Sequence, residues 1–178
     1  ASVVGMVCNI LLCLGKFVVG TLFGSIAITA DALNNLSDAS SNIVSLVGFK
    51  LAAKAPDAEH PYGHARFEYL AGLVVSVTIL GIGFSLLKES VTKVLHPTPV
   101  QFGWLTVAVL LVSILVKLWM SGFNRAIGRI ISSETLIATA ADSRNDVLST
   151  AAVLVATILC RVTGWDVLDG LMGVGVAV

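Results

Sequence analysis

Two pairs of oxygen-bearing side chains stand four residues apart in otherwise apolar surroundings: Asn34 with Asp38, and Asp142 with Asp146. Four residues is about one helical turn, so each pair shares a helix face. The first pair belongs to a longer stripe of Asp31, Asn34, Asp38 and Asn42, spaced by 3, 4 and 4. Set face to face, the two pairs would form a cage of three carboxylates and one carboxamide. Like charges that close repel strongly unless a cation or protons neutralise them. The chemistry such a cage supports is reversible binding of a metal cation, coupled to protonation. The plainer reading is that single polar residues act as hydrogen-bonding glue between helices, with Arg144 balancing Asp142 and Asp146. Two matched pairs on separate segments favour the cage.

A second cluster reads Asp57-Ala-Glu-His60-Pro-Tyr-Gly-His64. One Asp and two His at spacings of three and four offer mixed N and O ligands for a divalent ion. The alternative is a polar loop in which Asp57 or Glu59 caps a helix and His60 is solvated.

The segments that must position these residues are apolar and long. Hydrophobic stretches run over about 3–23, 26–53, 69–87, 104–123 and 135–159, with a sixth beginning near 168. About 20 apolar residues suffice to cross a bilayer core, so five full spans and the start of a sixth are expected. Pro56, Pro61, Pro97 and Pro99 fall between spans, where a missing N–H does least harm. The chain begins at Ala1 and ends at Val178 inside an apolar run, so a longer parent protein is expected. No signal-peptide pattern is visible. The loops carrying Lys50, Lys54, Arg66, Arg125 and Arg129 hold more positive charge than the opposite side, with Lys88, Lys93 and Arg161. That bias places the former in the cytoplasm and, for six spans, both termini inside. Trp104 and Trp119 bracket the fourth span as interface anchors.

Composition narrows the class. Of 178 residues, 56% are hydrophobic and 12% charged, with mean hydropathy +0.94. Soluble domains average about 25% charged, so an ordinary soluble enzyme and a disordered chain are excluded. Eleven basic residues balance eleven acidic ones, leaving no global field to attract nucleic acid. Cys8, Cys13 and Cys160 lie in apolar stretches and read as core filler. Lys16 and Lys117 lie inside apolar spans, where each either snorkels or pairs with an acid. Asp31 serves either an exit path or helix packing. An ion pair of Arg66 with an acidic residue of the sixth span, such as Asp169, at a dimer contact is a further expectation.

Taken together, these residues resemble the cation diffusion facilitator family. The resemblance rests on Ala30-Asp31-Ala32 followed by Asn34-x-x-x-Asp38, and on Asp57-x-x-His60-x-x-x-His64 with Arg66 and Glu68 after it. Asp142-x-x-x-Asp146 completes it. It covers essentially the whole chain and implies an all-α membrane protein, a six-helix transmembrane bundle whose sixth helix is cut short. It also implies a homodimeric exporter of divalent metal driven by inward proton flow, in a cell membrane such as a bacterial inner membrane. The transport site would be Asn34, Asp38, Asp142 and Asp146, the loop site Asp57, His60 and His64. A cytoplasmic ferredoxin-like domain would follow the sixth span.

Zinc members of the family usually place His at the position of Asp142. Here the set is all oxygen, and oxygen ligands suit Mn²⁺, Mg²⁺ or Ca²⁺ better than the imidazole-rich sites of zinc. The pattern resembles the manganese-exporting branch, so Mn²⁺ is the expected substrate, with Zn²⁺ or Fe²⁺ as the alternative and H⁺ as counter-ion. Two other classes compete. An intramembrane aspartyl protease would use an Asp dyad, but no Gly-x-Gly-Asp element is present. A metal sensor without transport would share the cage.

Overall fold

The computed structural model describes residues 2–52, 66–101 and 103–177. Within them the chain forms α1 (Ser2–Phe23), α2 (Ile26–Ala52), α3 (Arg66–Leu95), α4 (Trp104–Ile130), α5 (Glu134–Thr163) and α6 (Val167–Ala177), with no strand. Four of these helices are long and apolar enough to cross a membrane: α1, α3, α4 and α5. α2 has 27 residues, about 40 Å at 1.5 Å each, but its polar stripe makes it less apolar. That suits its place, because α1, α3, α5 and α6 all pack on it. α6 has 11 residues, about 16 Å, shorter than a span, as the sequence suggests.

Tight turns make sequence neighbours antiparallel. Between α1 and α2, Gly24 adopts φ +68°, a conformation a side chain would strain. The Ser25 amide then donates to the Gly20 carbonyl at 2.9 Å. A β-carbon on Gly20 would lie 2.6 Å from Thr29 Oγ1, so only glycine lets α2 start so close to α1. Between α4 and α5, the Ser133 hydroxyl accepts from the Leu136 amide and caps α5.

Three helices outrun the apolar segments read from the sequence. α3 continues through Lys88 and Lys93 to Leu95, because nothing breaks it before His96-Pro97. α4 runs past Phe123 to Ile130. α5 runs to Thr163, where Gly164 at φ +69° ends it. Hydropathy marks the part of a helix that prefers lipid, not the helix itself.

The α1–α2 and α4–α5 hairpins pack together through α1 on α4 and α2 on α5, while α3 and α6 line the other side of α2. A small apolar core of Ala27, Ile28, Leu110 and Val153 is fully buried. Large apolar side chains such as Leu11, Leu80, Phe84, Leu115 and Leu148 point outward, as lipid contact requires. Polar and charged side chains are buried inside. The described cysteines are free, with Cys13 and Cys160 buried, in keeping with a packing role.

Candidate metal centre

α2 and α5 run antiparallel, so the polar stripe of one meets that of the other in reverse order. At one level the Thr150 hydroxyl donates to Asp31 Oδ2 at 2.9 Å. One turn on, Asn34 Nδ2 donates to Asp146 Oδ1 at 2.6 Å. At the third level, Asp38, Asp142 and Asp146 each offer a carboxylate oxygen, all within 4.8 Å of one another. The four residues singled out by spacing thus converge on one place.

Burial is graded across the cage. Asp146 is buried, Asn34 and Asp38 are partly covered, and Asp142 is exposed. The cage therefore opens on the Asp142 side, two turns into α5 from its N-terminus. A cavity of about 220 Å³ between α2, α3 and α6, lined by Ser37, Ile79 and Gly83 among others, reaches Asn34 from a second direction.

Lys117 was the residue that spacing did not assign to the site. From the buried stripe of α4, its Nζ donates to Asp38 Oδ2 at 2.8 Å and to Asp146 Oδ2. A lysine inside an apolar span signals a nearby acid, but nothing local in the sequence says which one. Arg144, the balancing charge considered from sequence, is exposed. It sits two residues from both Asp142 and Asp146, on the opposite side of α5. With every group ionised, three carboxylates and one ammonium leave the cage a net charge of minus two, which one divalent cation neutralises.

Two other buried lysines are also paired. Lys16 Nζ lies 2.8 Å from Asp31 Oδ2 and donates to Thr150 Oγ1 at 3.0 Å. Lys16 is 0% and Asp31 1% exposed. Of the two roles considered for Asp31, this closed triad is the helix-packing one. Lys93 Nζ lies 2.8 Å from Asp169 Oδ2. Asp169 also accepts from the Ser25 hydroxyl and from the Ile26 amide, capping α2 from another helix. Within one chain Arg66 and Asp169 stand far apart, so the Arg66–Asp169 pair expected at a dimer contact would have to join two copies. Asp169 sits at the Lys93 end of α3, and Arg66 begins the opposite end, about 40 Å away. Asp57, His60 and His64 lie outside the described residues.

An all-helical bundle that is apolar outside and carries paired acids and lysines inside defines a polytopic membrane protein with a buried cluster of charges. Comparison with known sequences agrees. The cation efflux transmembrane domain matches residues 2–178, and the chain belongs to this cation diffusion facilitator family. It is 35% identical to an uncharacterized transporter of Methanocaldococcus jannaschii, over 89% of this chain and 55% of that protein. It is 29% identical to the manganese efflux system protein MneS of Bacillus subtilis, over 85% of this chain and 59% of that one. It is also 29% identical to the magnetosome protein MamB of a Magnetospira species, over 92% and 55%. The chain thus spans a little over half the length of these relatives.

Proposed function

We propose that this chain is the membrane part of an exporter that moves Mn²⁺ out of the cytoplasm in exchange for protons. The carrying observation is the convergence of Asp38, Asp142 and Asp146 within 4.8 Å, with Asn34 bonded to Asp146. The donors are all oxygen, which suits Mn²⁺ over metals that favour imidazole or thiolate. Similarity to a protein named for manganese efflux points the same way.

The cycle follows from charge. Mn²⁺ enters from the side on which Asp142 is exposed, which by loop charge is the cytoplasm, and displaces protons held by the carboxylates. With Lys117 still nearby in the interior, the metal brings the net charge of this region close to zero, so reorienting it in a low-dielectric interior costs less than moving a bare charge. On the far side, protons return to the carboxylates and the metal leaves. Asp57, His60 and His64 form a second, cytoplasmic metal site, and the full-length protein works as a homodimer with a soluble domain after α6.

The test is metal-dependent proton flux in proteoliposomes carrying the full-length protein, with Mn²⁺, Zn²⁺ and Fe²⁺ compared. Preference for Mn²⁺ with counterflow of protons supports the reading. Better transport of Zn²⁺ or Fe²⁺ keeps the exporter and overturns the metal. Binding without flux supports the sensor instead.

A further inference from the structure

Lys117 sits on two of the carboxylate oxygens at which a metal would bind. Its ammonium contacts Asp38 Oδ2 and Asp146 Oδ2, and it is 1% exposed. A charged lysine has donors and no acceptor, so it cannot ligate a cation itself. A cation bound at these two oxygens would stand within a few ångströms of the ammonium, and in the low-dielectric interior the two like charges repel, so each weakens the other's hold.

We propose, building on the cage reading above, that Lys117 is a tethered competitor of the transported ion. It fills the cage when metal is absent and must swing away for metal to bind. Because it is attached to α4, its effective concentration at the cage is high and independent of solution conditions. It lowers metal affinity to a level from which release is possible. It also favours divalent ions, since a monovalent ion gains little by replacing a charge of the same size, whereas a divalent ion doubles it.

The interior offers the displaced side chain acceptors. Ser113 lies one turn before Lys117 on the same face of α4, is 0% exposed, and its Oγ has no partner. Lysine side chains in helices lean toward the N-terminus, over that turn. On α1, Asn9 is 3% exposed and its Oδ1 is also without a partner. α1 packs on α4, with Gly5 beside Met120 and Gly15 beside Val109, so Asn9 sits near the level of Lys117. Buried polar atoms left unsatisfied are costly, and a displaced ammonium would satisfy both.

The test is Mn²⁺ binding to the full-length protein in lipid nanodiscs at pH 8, with free Mn²⁺ read by electron paramagnetic resonance. Lys117→Gln should bind Mn²⁺ at least about tenfold more tightly, because the competitor is gone. Lys117→Arg should bind at least about tenfold more weakly, because a bidentate guanidinium is harder to displace from carboxylates. A purely structural lysine would weaken binding in both variants or in neither, and either result overturns the proposal. If the Gln variant fails to fold, the Arg variant decides alone, and wild-type affinity there overturns it. Asp38→Asn separates the two layers of the argument. Its binding should be lost if the cage reading holds. Unchanged binding would overturn that reading and this proposal with it.

Discussion

The Lys117 ammonium stands 2.8 Å from the Asp38 carboxylate, although α4 and α2 do not pack on each other among the described residues. The long lysine reaches across the bundle, where α5 supplies the intervening Asp146. A buried charge without a partner costs several kcal/mol, so this reach gives the empty cage its counter-charge. It also binds three helices of the bundle at one point.

Removing a ligand should abolish function without unfolding the bundle. Asp142 is exposed, so Asp142→Ala leaves no buried cavity. We expect Mn²⁺ flux to fall by more than the roughly 10–100-fold typical of losing an outer-shell group at a metal site. Retained flux in proteoliposomes would sink the assignment of Asp142.

Asp142→His should change selectivity as well as rate. It adds imidazole, which suits zinc, to an otherwise all-oxygen set. Competition flux with equal Mn²⁺ and Zn²⁺ should shift toward Zn²⁺. An unchanged ratio would mean that coordination number or geometry sets the preference, not ligand type.

Metal affinity should rise with pH. Ligating carboxylates must be deprotonated and binding releases protons, so acid competes with metal and alkali favours it. Mn²⁺ titrations from pH 5.5 to 8 should show progressive tightening, steeper than tenfold per tenfold drop in proton concentration if more than one proton is released. PH-independent binding would remove the basis for exchange.

The Lys16–Asp31–Thr150 triad is expected to hold the fold and not the ion. Asp31→Ala leaves Lys16 buried and unpaired, a loss of roughly 3–5 kcal/mol. Replacing both, as Lys16→Met with Asp31→Leu, should recover most of that stability. Thermal unfolding in detergent measures both. Greater instability in the double variant than in the single one would show that the triad is not a simple compensated pair.

The loop residues can be tested by subtraction. His60→Ala with His64→Ala should lower the number of bound Mn²⁺ or Zn²⁺ per chain while leaving the Asp142-dependent ion in place. An unchanged stoichiometry would remove the loop site from the protein.

The helices and the four candidate cage residues were legible in the sequence because both follow from local rules. A run of apolar residues must become a helix in lipid, since no water is there to satisfy its backbone. A four-residue spacing on a helix must put two side chains on one face, and Asn34, Asp38, Asp142 and Asp146 needed nothing more to be singled out. The ends of α3, α4 and α5 were misjudged because helices extend past the apolar stretch until a local signal stops them: His96-Pro97 for α3, Ser132 at positive φ for α4 and Gly164 for α5.

The pairing of lysines with aspartates was decided by tertiary structure alone. Sequence places Lys16, Lys93 and Lys117 in or beside apolar spans, yet spacing carries no information about contacts between helices. Only the antiparallel approach of α2 and α5, with α1 and α4 closing over them, sends Lys16 to Asp31 and Lys117 to Asp38 and Asp146. The same packing gives Asp169 to Lys93 and leaves Arg66 at the far end of α3. Local periodicity determines which side chains share a face. Long-range packing determines which charges neutralise one another, because electrostatic partners are chosen by distance in space and by burial, neither of which is written in sequence separation.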